Sequence, residues 1–423
     1  MSIEEITRRQ ALLAGLASMF GAAAVCGLPG CSQKPFRSTP LRFWNGFTGP
    51  DGRNILSLVR KFNESHTGPD VLMQRMDWGT YYSKLFVAGL GGRAPDIFVI
   101  HADAMVRFQA AGFLKPIDDV LANGNLPADD LDKDVMAEVR IKGETFGLPL
   151  DVHPIGMFYN RNMLSEIGAD TVPEDPEGFM EAMLHIRDKA GSKRWAFVFN
   201  WLRTAAYSII RQYGGDLVDI KSHQPTFASD ANLKAMGWCT RLIDEGIAPS
   251  PANFDSWIGF RQGRVGVAWE GSYMLEDAKR QSNLNFGIQP IPRVGHQHAA
   301  WANAHVVCLR NDLEGDRLAQ AVRFIRYLSD ESASRAVSGM LPVRASIRQH
   351  ESIKQNSQLQ GFIRSIPSIA LFPSVPYTFE MLSEFDVALE RILRSGKDPA
   401  EAMGLADHNL ASIVERYLQN GWT

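Results

Sequence analysis

Residues 41–100 decide the fold that the sequence predicts: LRFWNGFTGPDGRNILSLVRKFNESHTGPDVLMQRMDWGTYYSKLFVAGLGGRAPDIFVI. Strands are predicted at 41–44, at 71–76 and in the apolar run 97–100. Apolar residues recur at helical spacing in 55–62, and a second helix is predicted at 81–90. Repeated strand–helix–strand units are typical of a largely parallel sheet with helices on both faces. The segment therefore predicts an α/β fold.

The same alternation continues beyond Pro154. Strands are predicted at 155–159, 195–200 and 265–269, and helices at 179–189, 318–328 and 382–392. The glycine-rich run at 89–94 follows a helix and precedes a strand, which is the reverse of the order in a dinucleotide-binding fingerprint. We interpret this run as a helix C-cap and turn.

The first 31 residues, MSIEEITRRQALLAGLASMFGAAAVCGLPGC, are typical of a bacterial export signal. Arg8 and Arg9 precede an apolar stretch without acidic residues and resemble a twin-arginine signal. The alternative, a permanent transmembrane anchor, needs about 20 strongly apolar residues, and glycine, serine and proline dilute this stretch. We expect residues 1–30 to direct export.

Leu28–Pro29–Gly30–Cys31 resembles a lipobox, in which Cys31 becomes the lipidated first residue of the mature protein. Pro29 departs from the usual small residue, so cleavage without lipidation is the alternative. Residues 31–40 are polar, contain two prolines and suit a tether. The expected location is the periplasm or cell surface, with membrane attachment only through a lipid on Cys31.

Composition excludes some classes of partner. Removal of the export signal leaves 393 residues, which suits two domains, and the net charge stays at −3. Such a balance argues against nucleic acid and against electrostatic membrane binding. Only Cys239 and Cys308 remain in the folded part, where they form either one disulfide or two buried thiols.

The familiar catalytic and metal-binding motifs are missing from the sequence. There is no Cys-x-x-Cys, His-Glu-x-x-His, Gly-x-Ser-x-Gly or P-loop motif. His296 and His298 lie in a Gly- and Pro-rich stretch without a third ligand at a recognisable spacing. Asp129, Asp130, Asp132 and Asp134 lack the remaining features of a calcium loop and suit the start of a helix. We therefore expect no metal, no cofactor and no enzymatic activity.

Aromatic residues instead stand beside turn-forming and polar residues, as in Trp44–Asn45–Gly46, Asp77–Trp78–Gly79 and Glu270–Gly271–Ser272–Tyr273. For any single aromatic residue, a position in the core is the default. A cluster of such residues also suits a cleft in which rings stack on the apolar face of a sugar while polar side chains bind its hydroxyls.

These stretches resemble the extracellular solute-binding proteins of bacterial ABC sugar importers, the family that includes the maltodextrin-binding protein. The resemblance spans nearly the whole mature chain and rests on the order and spacing of several motifs. The stretches that carry the resemblance are APDIF at 94–98, AGFLKPI at 111–117, FGLP at 146–149, FYNRNML at 158–164, FRQGRVGVAWEGSY at 260–273 and LPVR at 341–344. The usual Pro-x-Thr-Trp before the second-lobe helix is replaced by VPEDPEGF at 172–179, and Tyr273 stands in place of tryptophan.

The resemblance implies a two-lobe periplasmic binding protein fold of type II, with a mixed, largely parallel sheet in each lobe and a ligand cleft between the lobes. The N-terminal lobe is expected to hold residues 38–150 and 300–345, and the C-terminal lobe residues 151–299 and 346–423. Candidate ring-stacking residues are Trp44, Trp78, Trp201, Tyr273 and Trp301. Candidate hydrogen-bonding residues are Asp103, Asp151, His153, Asn200, Arg203, Glu270, Asn303 and His305.

The function that the resemblance implies is to bind a mono- or oligosaccharide and deliver it to the permease subunits of an ABC transporter. A monomer is expected. Two alternatives remain at this stage. One is a binding protein of the same fold for iron, a polyamine or an organic anion. The other is a secreted sugar-active hydrolase, for which a carboxylate pair about 5–10 Å apart in the cleft would be diagnostic.

Overall fold

The computed structural model describes residues 39–65, 68–123, 128–252 and 254–421. The export signal, Cys31 and most of the proposed tether lie outside these ranges, and the predictions for them stay predictions. Among the described residues, no helix combines the length and the apolar character needed to cross a membrane.

The strands of the described chain are β1 (Leu41–Asn45), β2 (Val71–Arg75), β3 (Ile97–His101), β4 (Arg140–Ile141), β5 (Glu144–Thr145), β6 (Leu148–Asn160), β7 (Trp195–Phe199), β8 (Val218–Asp219), β9 (Gln224–Pro225), β10 (Val265–Gly271), β11 (Phe286–Gln289), β12 (Ala300–Leu309), β13 (Leu341–Pro342) and β14 (Ile369–Ala370).

The α-helices are α1 (Pro50–Ser65), α2 (Trp78–Leu90), α3 (Met105–Ala110), α4 (Asp118–Asn123), α5 (Lys133–Val139), α6 (Arg161–Ser165), α7 (Pro176–Ala190), α8 (Leu202–Gln212), α9 (Asp230–Asp244), α10 (Ser256–Arg261), α11 (Leu275–Lys279), α12 (Gly315–Asp330), α13 (Ala333–Ala336), α14 (Ala345–Arg348), α15 (Glu351–Lys354), α16 (Ser357–Ile363), α17 (Thr378–Leu389) and α18 (Pro399–Gln419). Short 3₁₀ turns cover Ala102–Ala104, Ala128–Asp130, Gly191–Lys193, Ser272–Met274 and Ile366–Ser368, and a π-helical turn covers Glu390–Arg394.

Local sequence explains where several of these elements form. Helix α1 buries Ile55, Leu58, Val59 and Phe62, which recur on one face as predicted. Helix α2 begins after Asp77, whose side chain accepts a hydrogen bond from the backbone of residue 79, and it ends at residue 91 in the predicted glycine-rich turn. The predicted helix at 179–189 lies inside α7.

Among the described residues, ten strands form one mixed sheet. Seven of them follow the order β2-β1-β3-β12-β6-β10-β7, while β11 and β13 pair with β6 and β14 pairs with β12. Strands β2, β1 and β3 are parallel, and so are β10 and β7, as the strand–helix alternation predicts. Strand β12 is antiparallel to both β3 and β6, and β10 is antiparallel to β6. The sheet therefore joins two parallel portions through two long antiparallel strands.

Strands β6 and β12 connect the two lobes. The first half of β6 pairs with β12 and β13, whereas its second half pairs with β10 and β11. Every residue of β6 and β12 is buried. Hydrophobic residues pack in two clusters, one centred on β1, β3 and α1 and the other on β7, α7 and α17. The limits of the lobes given above remain a prediction.

Both cysteines of the folded part are buried free thiols, which selects one of the two alternatives left open by the sequence. Burial raises the pKa of both thiols. His296 and His298 are exposed and lie outside helices and strands, as predicted. Asp132 caps α5, which agrees with the interpretation of the acidic run as a helix start.

Candidate functional site

Three neighbouring strands bring polar residues together where the two lobes meet. His101 is the last residue of β3, Asp151 and His153 lie on β6, and His305 lies on β12. In the register of the sheet, His305 stands opposite both His101 and Asp151. The cluster is thus built on paired strands, and a β-bulge follows His305 immediately.

Asp151 is fully buried and contacts three side chains. Its carboxylate lies 3.0 Å from Nδ1 of His153 and 2.9 Å from Nδ1 of His305, and Arg335 forms an ion pair with it at 2.6 Å. Burial acts to raise the pKa of Asp151, but His305 and Arg335 hold this pKa well below its usual value. Both carboxylate oxygens therefore have protein partners, so Asp151 acts on the site by orienting the two imidazoles.

One ring nitrogen from each of His101, His153 and His305 lies within 4.8 Å of the others. The sequence analysis expects no such cluster. Nδ1 of His101 is 2.6 Å from the hydroxyl of Tyr82. Burial and the neighbouring imidazoles lower the pKa of His101 well below its ordinary value and the pKa of His153 to about 4. These two rings are therefore neutral at neutral pH.

Aromatic rings enclose the three histidines from two directions. Trp78 stacks on His305 with ring centroids 5.6 Å apart and lies 4.3 Å from His101. Tyr273 and Trp301 meet His153 edge-on at 6.2 and 6.1 Å. Nε1 of Trp301 is buried and has no hydrogen-bond partner in the described part of the chain. An unpaired buried donor of this kind suits a ligand acceptor.

Glycines explain why turn formers accompany these aromatic residues in the sequence. A Cβ on Gly46 would lie 2.1 Å from the indole of Trp78, and a Cβ on Gly271 would lie 2.1 Å from the ring of Tyr273. Each ring rests on backbone that only glycine leaves uncovered. The glycine in each turn therefore lets a ring pack against the backbone: Trp78 packs on Gly46, and Tyr273 packs on Gly271.

Two carboxylates near the cluster carry raised pKa values. Burial raises the pKa of Asp103 to about 6, although Asn303 donates a hydrogen bond to it at 2.9 Å. Burial also raises the pKa of Glu270 to about 8, against the lowering effect of the Gly271 amide, which donates to Oε1 at 2.8 Å. Glu270 is therefore largely protonated at neutral pH and can donate as well as accept a hydrogen bond.

Three predicted residues stand apart from the histidine cluster. Trp44 lines a separate surface cavity of about 830 Å³ beside α2, together with Arg42 and Gln74, because alternate side chains of β1 point to opposite faces of the sheet. Arg203 forms an ion pair with Asp386. Asn200 follows the end of β7 without contacting the cluster; the neighbouring Trp201 is half exposed and lies close to Glu270.

Sequence reasoning missed three residues of this arrangement: His101, Tyr82 and Arg335. His101 and Tyr82 lie 19 residues apart, and Arg335 lies 184 residues from Asp151, so no spacing marks them as neighbours. The position of His101 at the end of an apolar strand was a usable signal, because parallel strand ends often line sites in α/β sheets.

The fold and the site define a two-lobe binding protein whose cleft lies between two α/β lobes joined by crossing strands. The family model for bacterial extracellular solute-binding proteins matches residues 57–361, and the chain belongs to this family.

Similar proteins include the maltotriose-binding protein of Pyrococcus abyssi, 22% identical over 79% of this chain and 71% of that protein. The sn-glycerol-3-phosphate-binding periplasmic protein of Agrobacterium fabrum is 24% identical over 77% of this chain and 78% of that protein. Among solved structures, the sugar-binding protein MalE of Xanthomonas citri superposes with a TM-score of 0.80 at 21% identity and covers 90% of this chain and 100% of its own. These relatives are binding proteins.

Proposed function

We propose that this protein binds a mono- or oligosaccharide between its lobes and delivers it to the permease of an ABC transporter, without catalysing a reaction. The observation that carries the proposal is a cluster of rings in which His305 stacks on His153, Trp78 stacks on His305, and Tyr273 and Trp301 meet His153 edge-on. Aromatic faces spaced around a polar centre suit the alternating apolar and hydroxylated surfaces of a sugar ring.

Hydrogen-bond donors and hydrogen-bond acceptors both lie beside these rings. Asp103 and Asn303 form one pair, and Glu270 forms another group with Tyr273. The unpaired Nε1 of Trp301 supplies a donor. Sugar hydroxyls donate and accept at once, so this mixture suits a neutral polyol. The names of the maltotriose-binding and sugar-binding relatives support the same class of ligand.

A phosphate ester, as named for the glycerol-phosphate-binding relative, fits the charges less well. Phosphate recognition favours guanidinium groups that are free to form paired hydrogen bonds. Arg203 and Arg211 instead form ion pairs with Asp386 and Asp216, respectively. Arg335 pairs with Asp151, although its Nε and Nη1 have no hydrogen-bond partner among the described residues. Asp103, with a pKa of about 6, is mostly ionised at neutral pH and would repel an anion.

Binding is coupled to closure of the lobes. A ligand that contacts both lobes at once stabilises the closed arrangement, because these contacts are complete only in that state. The permease then recognises the closed, loaded form. The lobe limits in this proposal are residues 38–150 with 300–345 and residues 151–299 with 346–423.

We also propose that the protein is exported from the cytoplasm. The twin-arginine segment directs a monomer to the periplasm or cell surface, and Cys31 is lipidated there. Mass spectrometry of the exported protein tests this step. An N-terminal Cys31 that carries a diacylglyceryl group supports lipidation, whereas an unmodified N-terminus near Cys31 contradicts it.

The ligand is tested by a thermal-shift screen of the mature protein against mono- and oligosaccharides, with glycerol 3-phosphate and amino acids as controls. A ligand that binds only the folded state raises the unfolding midpoint in proportion to the logarithm of its concentration. We expect a shift with at least one saccharide and no product by chromatography. A shift with glycerol 3-phosphate alone would overturn the ligand class, and product formation would overturn the transport function.

A further inference from the structure

The three histidines have a geometry that sugar binding does not require. Zinc–nitrogen bonds of about 2.0–2.1 Å place two imidazole nitrogens of a tetrahedral site about 3.3 Å apart. One nitrogen from each of His101, His153 and His305 already lies within 4.8 Å of the others. For one ion to bind all three, each pair of nitrogens has to approach by up to about 1.5 Å.

Hydrogen bonds orient all three rings through the same atom. Nδ1 of His153 and Nδ1 of His305 contact the carboxylate of Asp151 at 3.0 and 2.9 Å, and Nδ1 of His101 contacts the Tyr82 hydroxyl at 2.6 Å. Among the residues that the structure describes, Nε2 of none of these rings has a hydrogen-bond partner. An imidazole that donates Nδ1–H to an oxygen presents Nε2 as a lone-pair ligand, which is the usual outer support of a metal-bound histidine.

The strands that carry the three histidines hold them in fixed positions. His153 and His305 belong to buried crossing strands, and His101 pairs with His305 across the sheet. Arg335 forms an ion pair with Asp151 at 2.6 Å and so helps to hold in place the carboxylate that contacts the two imidazoles. Ligands on paired strands, with a second shell of charged and hydrogen-bonding partners, hold their geometry better than ligands on loops.

We propose that His101, His153 and His305 bind a divalent first-row transition metal ion of the zinc class in the interlobe cleft. Three imidazoles suit zinc, cobalt, nickel and copper ions, whereas magnesium and calcium prefer oxygen ligands. Three protein ligands would leave at least one coordination position for water or an oxygen atom of the bound solute. This proposal does not depend on the saccharide being the solute.

The test is isothermal titration of the mature protein with ZnCl₂, after purification without a histidine tag and treatment with EDTA. We expect one ion per chain. Cobalt titration is the second readout, because a tetrahedral Co²⁺ ion bound to imidazoles gives visible absorption that Mg²⁺ cannot produce. Absence of zinc binding, or a stoichiometry that matches weak surface binding to several histidines, would overturn the proposal.

Two variants with a matched control locate the site. His153→Gln removes one ligand and should weaken zinc binding by more than about 100-fold, and Tyr82→Phe, which removes only the support of His101, should weaken it by roughly 10–100-fold. His298→Ala is the control, because His298 is exposed in a loop outside the cluster. If His298→Ala lowers affinity as much as His153→Gln does, the ion is bound elsewhere.

Folding of each variant is checked by its thermal midpoint without metal. If His153→Gln does not fold, Tyr82→Phe decides the question, because it keeps the ring packed in place. Saccharide titrations are run beside these measurements, both in EDTA and with zinc present, because a bound ion could itself contact the solute. Sugar binding without zinc binding overturns the metal site alone, and zinc binding without any response to sugar overturns the transport ligand alone.

Discussion

The carboxylate of Asp151 shows how one buried residue organises its surroundings. It has no solvent exposure, yet it contacts His153, His305 and Arg335. A buried charge is stable only when it is paired and hydrogen-bonded. The family resemblance implies a ligand contact at Asp151, whereas in the structure its oxygens contact two imidazoles and a guanidinium group.

Tyr273 provides the most direct test of ring stacking. Replacement by alanine (Tyr273→Ala) should weaken saccharide binding by about 1–3 kcal/mol, because it removes an aromatic surface beside His153. Isothermal titration with the saccharide identified by thermal shift measures this change. Trp44→Ala is the matched control, since Trp44 lines a different cavity, and unchanged affinity is expected there. Equal losses in the two variants would contradict a specific role for Tyr273.

The raised pKa of Glu270 makes the free energy of unfolding depend on pH. Its pKa is about 8 in the folded protein against 4.5 as the ordinary value, so between these values the folded state holds more proton than the unfolded state. The Glu270 contribution to the free energy of unfolding should therefore fall with rising pH, by about 1.4 kcal/mol per pH unit through this window. Asp277 and the polar groups of Trp201 and Tyr273 act on the same carboxyl group.

Glu270→Gln removes this titration. In urea unfolding at pH 5, 6.5 and 8, the variant should gain stability over the wild type as the pH rises. The control is Glu181→Gln at an exposed position on α7, for which the difference from the wild type should stay constant. A constant difference for Glu270→Gln as well would show that the folded pKa is not raised.

At the scale of elements, replacement of glycine by alanine should have opposite effects on stability at two positions, Gly237 and Gly339. Gly237 lies exposed in α9, and a Cβ there would meet no atom within 4 Å. Gly237→Ala should raise the free energy of unfolding by about 0.5–1 kcal/mol, because alanine is the better helix former. Thermal or urea unfolding of the mature protein measures the gain, and a loss of stability would contradict the open surroundings of this position.

Gly339 lies after α13, just before β13, and has the opposite surroundings. Its φ is +87°, and a Cβ there would lie 1.8 Å from the carbonyl oxygen of Ser272. Gly339→Ala should therefore lower the free energy of unfolding by at least about 1–3 kcal/mol. Because Ser272 adjoins Tyr273, we also expect weaker saccharide binding. A variant with wild-type stability and wild-type affinity would show that the backbone at Ser272 can move away from the added Cβ at little cost.

The elements also show what the sequence can predict. The units β1-α1-β2-α2-β3 follow from hydrophobic periodicity, because each helix buries one face and each strand is short and apolar. The site does not follow in the same way. His101, His153 and His305 meet only through the register of β3, β12 and β6, and a shift by one residue would turn His305 to the other face. Because these strands are far apart in the sequence, no recognisable motif spacing marks the three histidines as neighbours.

Trp44 shows the same limit for a single residue. The sequence places it at a strand end beside turn formers, like Trp78. In the structure, however, it packs under Arg42 on the face that α2 covers, whereas Trp78 rests on Gly46 and faces the histidines. Burial alternates along β1, and Arg42 and Trp44 lie on its less buried face. Periodicity identifies this alternation, but it does not show which residues of neighbouring elements each face meets.

At the scale of the whole molecule, ion pairs span the two proposed lobes. Arg53 on α1 contacts Glu276 on α11 at 3.1 Å, and Arg107 on α3 contacts Glu380 on α17 at 2.7 Å. Such pairs favour the arrangement of lobes in which they form. Because Arg53 is more than half exposed, its pair should contribute no more than about 1 kcal/mol, and salt should weaken it.

Arg53→Ala should therefore lower saccharide affinity by up to about 5-fold at low ionic strength, by shifting the lobes toward an open state, and the effect should shrink in high salt. Arg194→Ala is the matched control, because Arg194 pairs with Glu166 at 2.7 Å inside one proposed lobe. Titrations at two ionic strengths measure both variants. If Arg194→Ala weakens binding as much as Arg53→Ala does, the effect is on general stability. A loss confined to Arg53→Ala at low salt ties ligand affinity to lobe closure, because Arg53 has no contact with the proposed sugar site.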